Sequence, residues 1–314
     1  MKDVPETYIV NKVVLITGAS SGIGVAAALI FARYGARLVL AAPKTEHLQD
    51  LADQIVAAGG QALVVPVDIT NPIQIRELVD RSLVRYSRID VLVNNAGWCL
   101  PAWYEDLSPQ DLRQHFEENV LGLAELIREV IPIMKKQHSG NIVNLLSYTS
   151  QLAVPSITAF SGANYALEGM SDGLRRELAP WGIKVSRVHI GNVTHTTKES
   201  NGKFAVAGSI FPRGEIDAEE VALALVKVIE RPHRAMSVGP LNPTLVSLNR
   251  SFPGLVDAYT QRWVRRKRDR ELRESVGKKP LGLLARAAPA ALLVATVAAG
   301  FFFIRNGTAH RRQD

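Results

Sequence analysis

The chain of 314 residues is 47% hydrophobic and 21% charged, which excludes a disordered or disulfide-built protein and predicts one large globular domain with an additional segment. The single cysteine, Cys99, leaves no cysteine metal cluster, and no metal site is predicted. The net charge of +7 is uneven: residues 262–314 hold 13 Lys and Arg against four acids, whereas residues 1–261 hold 24 against 26. Because this body is nearly neutral, nucleic-acid binding is not expected.

From the N-terminus, short apolar runs alternate with longer amphipathic stretches, a pattern typical of parallel strands joined by helices. The predicted strands are Val13–Thr17, Arg37–Ala41, Ala62–Val67, Val91–Asn94, Asn141–Leu146, Lys184–His189 and Ala235–Val238. The predicted helices are Gly22–Tyr34, Thr45–Ala58, Pro72–Tyr86, Pro109–Gln137, Ala159–Trp181 and Ala218–Glu230. The predicted fold class is therefore α/β: a doubly wound parallel sheet, or Rossmann fold, of about seven strands, with a C-terminal basic and apolar helical tail.

The first predicted strand ends in the run Thr17-Gly-Ala-Ser-Ser-Gly-Ile-Gly24, which leads directly into a helix. Gly18 permits a tight turn, Gly22 lets backbone N–H groups approach a pyrophosphate, and Gly24 lets the helix pack close to its strand. The turn therefore predicts a dinucleotide site. The cofactor residues predicted in it are Gly18, Ser20, Ser21, Gly22, Ile23 and Gly24.

The second strand favours NADP over NAD. Sites specific for NAD usually carry an acid about twenty residues after the glycine turn, where it holds the ribose hydroxyls. This chain has the uncharged run Leu38–Ala42 there, with Lys44 just beyond it, so nothing repels a 2′-phosphate and one cation is available. Alternatively, Lys44 is a solvated residue at the start of a helix.

Further motifs follow in a fixed order and at a characteristic spacing. They are Asp68 in Val67-Asp-Ile-Thr70, the run Asn94-Asn-Ala-Gly97, Asn119 in Asn119-Val-Leu-Gly122, Ser147 after Ile142-Val-Asn-Leu-Leu146, and Gly191-Asn-Val-Thr194. With the glycine turn, they make residues 10 to about 240 resemble the short-chain dehydrogenase/reductase family. The resemblance implies that Ser147 and Asn119 are catalytic. It implies a cofactor site that also includes Lys44, Asp68, Ile69, Asn95, Ala96, Gly97, Asn164, Gly191, Val193 and Thr196.

The chain departs from this family at the catalytic tyrosine and lysine. In the family, the tyrosine follows the serine by thirteen residues and the lysine follows four residues later; counting from Ser147 reaches Phe160 and Asn164. A phenylalanine has no exchangeable proton, and an asparagine hydrogen-bonds a ribose hydroxyl without supplying charge. The two changes predict a retained cofactor and impaired turnover, since losing general acid–base help costs a factor of about 10²–10⁴.

Three other side chains are candidate proton donors. Tyr148 follows Ser147 directly, and His195 lies in the predicted loop over the cofactor. Tyr165 lies five positions after Phe160, about 140° around a helix, and is expected on another face. Ser147 and Asn119 have an alternative role as structural hydrogen-bonding residues.

The substrate cleft implied by the resemblance is apolar. It would be bordered by Trp98, Cys99, Trp103, Phe160 and Phe211. An apolar small molecule is therefore the expected substrate or ligand, although aromatic residues of this kind also serve as core and loop packing. The family resemblance also implies a homo-oligomer.

The C-terminal segment predicts a membrane anchor. The run Ala287 to Ile304 has eighteen uncharged residues, which reach about 27 Å as a helix, and both flanks are basic. The predicted organisation is a body of residues 1–261, a basic juxtamembrane segment at 262–280, a transmembrane helix at 281–305 and a tail at 306–314. The larger basic cluster precedes the helix, which predicts a body on the cytoplasmic side. An apolar core helix or a subunit-contact helix is the alternative.

Two functions follow from the sequence. The first is a membrane-tethered, NADP-linked oxidoreductase of an apolar alcohol or carbonyl, with turnover impaired at Phe160 and Asn164. The second is a cofactor-binding protein without dehydrogenase turnover that acts as a scaffold, a ligand carrier or a sensor of the nicotinamide pool.

Overall fold

The computed structural model describes residues 9–20, 22–95, 97–191, 193, 216–239 and 242–275. Within these residues the chain forms a seven-stranded parallel sheet in the order β3-β2-β1-β4-β5-β6-β7. The strands are β1 Val13–Thr17, β2 Arg37–Ala42, β3 Gln61–Pro66, β4 Val91–Asn94, β5 Gly140–Ser147, β6 Ile183–Ile190 and β7 Ala235–Val238. The helices are α1 Gly22–Arg33, α2 Glu46–Ala57, α3 Pro72–Tyr86, α4 Pro109–Phe116, α5 Gly122–Gln137, α6 Thr158–Glu177, α7 Ala218–Glu230, α8 Asn242–Ser251 and α9 Pro253–Ser275. The predicted doubly wound α/β fold is confirmed.

The sheet is covered on both faces, as the continuous apolar strands require. In β2, Leu38 and Leu40 pack into a core shared with α1, α2 and α7. Val39 and Ala41, which alternate with them, pack into a second core shared with α3 and α5. Alternate residues of β2 therefore lie in opposite cores, according to the two-residue period of an extended chain.

One predicted helix is interrupted. The stretch Pro109–Gln137 forms α4, a π-helical turn at Glu117–Leu121 and then α5. The extra residue of the π turn rotates the helix after α4, and it places Asn119 in a buried position. This turn lies beside the candidate site.

The sheet order places a crevice between β1 and β4. The chain moves outward from β1 through β2 to β3, then crosses back to β4 on the other side of β1. Ligands of doubly wound sheets bind at such a switch point, outside the carboxyl ends of the strands. Here those ends are Thr17 and Asn94.

The C-terminal region forms a separate compact unit. The contacts divide the chain into residues 1–256 and residues 257–314. Among the described residues, no helix combines the length and apolar character needed to cross a bilayer. The predicted transmembrane helix at 281–305 lies outside the described residues, as do 276–280 and the tail at 306–314.

Candidate active site

The glycine turn between β1 and α1 is built without room for side chains. Gly18 has a φ of +62°, in the left-handed region that favours glycine. A Cβ on Gly24 would lie only 2.3 Å from the carbonyl oxygen of Gly18, so the first turn of α1 packs directly on the backbone of the loop. Ile23 is buried beneath the turn, whereas Ser20 and Gly22 are partly exposed; Ser21 lies outside the described residues.

Asn95 holds this turn in place from the end of β4. Its backbone N–H donates to Thr17 Oγ1 at 3.0 Å, and its side-chain amide donates to the carbonyl oxygens of Thr17 at 3.2 Å and Gly18 at 3.0 Å. These bonds join the two strands that border the crevice. The sequence predicted Asn95 as a cofactor residue, and in the structure its side chain binds the turn that would hold the cofactor.

The remaining predicted cofactor residues lie along the same edge of the sheet. Lys44 is exposed two residues after β2, and Asp68 is exposed two residues after β3. The Asp68 carboxylate accepts hydrogen bonds from the backbone N–H of Thr70 at 2.9 Å and from its hydroxyl at 2.7 Å. Partly buried Ile69 follows Asp68, and Gly191 follows β6. Val193 forms an isolated bridge with Ile216, while Ala96 and Thr196 lie outside the described residues.

Asn164 is bound to the protein's own backbone. Its Oδ1 accepts a hydrogen bond from the Ser147 backbone N–H at 2.8 Å, and its Nδ2 donates to the Phe160 carbonyl at 2.9 Å. The side chain is buried, with 6% of its surface exposed. The carboxamide thus fastens α6 to the end of β5. One amide hydrogen and one lone pair of Oδ1 at most remain for a ribose hydroxyl, the partner expected from the sequence.

Asn119 also binds backbone groups. Its Oδ1 accepts from the Trp98 N–H and its Nδ2 donates to the His115 carbonyl, both at 2.9 Å. The Leu100 N–H donates to His115 Nε2 at 3.2 Å, which fixes the same loop a second time. The side chain of Asn119 therefore positions the loop after β4, which corresponds to the structural role considered for it.

Ser147 carries the hydroxyl that the resemblance assigns to catalysis, and its backbone N–H donates to Asn164. It ends β5, is partly exposed, and its Oγ accepts a weak hydrogen bond from the Thr149 N–H at 3.3 Å. Phe160, in the first turns of α6, is also partly exposed. Since a hydroxyl both donates and accepts, Ser147 can still donate to a ligand carbonyl.

The tyrosines near this centre are poor general acids. Tyr148 is 7% exposed, and burial, reinforced by nearby Cys99, raises its pKa to about 12. Burial likewise raises the pKa of the Cys99 thiol to about 12, so both groups stay protonated at neutral pH. Tyr165 is 45% exposed on the outer surface of α6, on another face from Phe160 as the helical spacing predicted. His195 and Phe211 lie outside the described residues.

A buried charged cluster joins α6 to β6, and sequence reasoning missed it. Glu168 contacts Arg187 at 2.5 Å and His189 at 2.7 Å, and it accepts from the Ser150 hydroxyl at 3.1 Å. Asp172 contacts Arg187 at 3.2 Å. Burial acts to raise the pKa of Glu168, but the hydrogen bond from His189 and the charges of His189 and Arg187 outweigh it and lower the pKa. The available signal was Arg187 and His189 in the middle of a strand that pairs with neighbours on both sides.

A glycine turn that opens a helix at the switch point of a doubly wound parallel sheet defines a dinucleotide-binding protein. The sequence profile of the short chain dehydrogenase family matches residues 12–204. The chain therefore belongs to the short-chain dehydrogenase/reductase family. Its fold implies a nicotinamide cofactor, NAD or NADP, and the glycine turn, where a Cβ on Gly24 would meet backbone atoms, fits such a group.

Relatives and a solved structure agree with this assignment. The chain is 30% identical over 276 residues to the ketoacyl reductase HetN of Nostoc sp., covering 84% of this chain and 96% of the relative. It is 28% identical over 226 residues to an uncharacterized oxidoreductase of Staphylococcus aureus, covering 72% and 94%. The crystal structure of gox2181 has the same fold, with a TM-score of 0.68, 22% identity and coverage of 74% and 96%.

The Asn164 contacts predict a stability effect. Replacing Asn164 with Ala is expected to lower the free energy of unfolding by about 1–3 kcal/mol, because the Ser147 N–H loses its acceptor. Urea denaturation measures this loss. Ser147→Ala is the matched control, since it keeps the backbone N–H and its bond to Asn164, and it is expected to lose much less stability. Equal stability of Asn164→Ala and the unmodified chain would contradict the assignment.

Proposed function

We propose that this chain is a membrane-tethered, NADP(H)-binding member of the short-chain dehydrogenase/reductase family in which hydride transfer is impaired. When bound, the cofactor supplies or accepts the hydride exchanged with an apolar carbonyl or alcohol. The observation that carries the proposal is the Asn164 carboxamide, which is bonded to Ser147 and Phe160 where the family keeps its lysine. The tether is supported by the eighteen-residue apolar run and its basic flanks, with the body on the cytoplasmic side.

Impaired turnover follows from the proton requirement of carbonyl reduction. Reduction builds alkoxide charge, which a positioned acid must neutralise. Phe160 has no proton to give, and Tyr148 is held protonated with a pKa of about 12. Ser147 can hydrogen-bond the oxygen but is a far weaker acid than a tyrosine assisted by lysine. The expected cost is a factor of about 10²–10⁴ in rate.

An apolar ligand is supported by the loop after β4. Trp98, Cys99 and Trp103 are partly buried in this loop, and the thiol is uncharged. Hydrogen bonds from Trp98 to Asn119 and from Ala102 to the Ser156 carbonyl fix the loop. Because one relative is named a ketoacyl reductase, ketoacyl compounds belong in the substrate screen with apolar aldehydes and ketones.

A second candidate is a protein that binds the cofactor and an apolar ligand without turnover, as a scaffold, a carrier or a sensor of the nicotinamide pool. The amides of Asn119 and Asn164 favour it, because each uses its oxygen and its NH₂ group to bond the protein's own backbone. The two candidates differ in measured turnover: slow but saturable NADPH oxidation indicates the first, and cofactor binding without oxidation indicates the second.

Light scattering of the purified chain tests the expected homo-oligomer.

The choice of cofactor is tested with the detergent-solubilised full-length chain. NADPH is expected to bind more tightly than NADH, and Lys44→Asp is expected to weaken NADPH binding by about tenfold while leaving NADH nearly unchanged. Lys184→Asp is the control. Lys184 is an exposed lysine near the amino end of β6, whereas the cofactor residues lie at the carboxyl ends of the strands. Fluorescence titration measures both affinities. If the unmodified chain binds NADH and NADPH equally tightly, and Lys44→Asp changes neither affinity, the NADP assignment is contradicted.

A further inference from the structure

The C-terminal part of α9 carries arginines along one face. Arg262, Arg266, Arg270 and Arg273 recur at intervals of four, four and three residues, which places them within an arc of about 80° around the helix. All four are exposed, and none has an ion-pair partner among the described residues. We call these four residues the arginine face.

The other cations of α9 lie around the rest of the helix, mixed with acids. Lys267 lies 3.9 Å from Glu271, and its ammonium lies 5.2 Å from the centre of the Trp263 ring. Arg265 and Arg268 occupy positions about 60° apart, outside the arginine face. By helical position, Asp269 and Glu274 border the arginine face on its two sides, about 20° and 40° beyond its edges, and leave this part of the helix a net charge of about +2. Four of the seven cations of α9 therefore lie within the arc of the arginine face.

Aromatic residues accompany the arginine face. By helical position, Tyr259 falls within its arc, one turn before Arg262, and Trp263 falls about 20° beyond its edge. Both are partly exposed. Tyrosine and tryptophan are enriched at the depth of lipid headgroups, where one part of the ring is apolar and the other is polar. Arginine is suited to the same layer because its planar guanidinium binds phosphate oxygens in pairs.

We propose that the arginine face binds the anionic headgroups of a membrane, with the helix lying along the surface. This rests on the proposed tether, because the apolar run Ala287 to Ile304 begins fourteen residues after Arg273 and would hold α9 near the bilayer. A juxtamembrane cluster of four or more basic residues attracts anionic lipid, and each contributes up to about fivefold in binding. The proposal assigns this attraction to the four cations of the arginine face.

The test uses the full chain and vesicles of phosphatidylcholine with or without phosphatidylserine. The triple variant Arg262→Gln, Arg266→Gln and Arg270→Gln removes three charges from the arginine face. The control variant Arg265→Gln, Lys267→Gln and Arg268→Gln removes three charges from elsewhere on the same helix. Flotation measures partition at low and high salt. The unmodified chain is expected to prefer phosphatidylserine vesicles by tenfold or more at low salt, and only the first variant is expected to lose most of this preference.

Neutral vesicles separate this inference from the tether. Binding to phosphatidylcholine alone reports the apolar run, whereas the preference for phosphatidylserine reports the arginine face. Suppose that the chain does not bind neutral vesicles but that the control variant keeps its preference for phosphatidylserine. The tether is then wrong and the arginine face is supported. Equal loss in both variants, or no preference in the unmodified chain, overturns the face. Where both variants stay fully bound, lipid-attached quenchers read the depth of Trp263, with Trp263→Phe as the blank; a depth unchanged by phosphatidylserine also overturns it.

Discussion

The double variant Phe160→Tyr and Asn164→Lys is expected to oxidise NADPH with an apolar ketone at least about 10²-fold faster than the unmodified chain, in kcat/KM. The tyrosine restores a proton donor beside Ser147. The lysine restores a positive charge that lowers the tyrosine pKa, since a nearby cation favours the ionised phenol. Because the lysine acts through the tyrosine, the gain from the pair is expected to exceed the product of the two single gains.

The lysine also has a structural cost. Asn164 accepts the hydrogen bond of the Ser147 N–H, and a lysine has no acceptor to replace it. The double variant is therefore expected to be less stable than Phe160→Tyr alone, which keeps the Asn164 contacts. If the double variant does not fold, Phe160→Tyr alone carries the test, with a smaller increase in kcat/KM expected from the phenol without its lysine.

Two tyrosine variants serve as controls for this prediction. Tyr165→Phe removes a phenol from the exposed face of α6 and is expected to leave the rate unchanged. Tyr148→Phe removes the buried phenol whose pKa is raised to about 12, and it is also expected to leave any residual turnover nearly unchanged. A large fall in the Tyr148→Phe rate would identify Tyr148 as the proton donor. An unmodified chain as fast as the double variant would likewise contradict the role given to Phe160.

The strands were predictable because a buried parallel strand leaves a short apolar run in the sequence. The π-helical turn at Glu117–Leu121 was not, because one extra residue shifts the rotation of a helix without removing its amphipathic pattern. The long predicted helix Pro109–Gln137 therefore covers two helices, α4 and α5. What the turn adds is visible only in three dimensions, where Asn119 reaches the Trp98 N–H.

The site was predictable in its residue types and not in its hydrogen bonds. Counting from Ser147 identifies Phe160 and Asn164, but an asparagine offers both a donor and an acceptor, and the sequence does not name their partners. The partners are backbone groups, one of them seventeen residues away on another element. The sequence also does not name the partners of Arg187. Its two acid partners on α6 become its neighbours only when the helix packs on the sheet.

The alanine variant of Gly24 is expected to lose NADPH binding by 10²-fold or more. A Cβ at this position would lie 2.3 Å from the Gly18 carbonyl oxygen and 2.8 Å from the Ala19 Cα. Both are backbone atoms and cannot rotate away, so the turn and the first residues of α1 must separate. Since the backbone N–H groups of this turn and helix would cradle the pyrophosphate, their separation removes the site.

The same substitution elsewhere provides the control. A Cβ on Gly169, an exposed residue within α6, would meet no atom within 4 Å. Gly169→Ala is expected to bind NADPH normally and to raise the free energy of unfolding by about 0.5–1 kcal/mol, because alanine favours a helix. Gly24→Ala is expected to lower it, so the two variants move melting temperatures in opposite directions. Fluorescence titration and thermal unfolding measure both effects. Normal NADPH binding by folded Gly24→Ala would place the dinucleotide elsewhere, because a turn displaced by the added methyl group cannot keep the same contacts with the pyrophosphate.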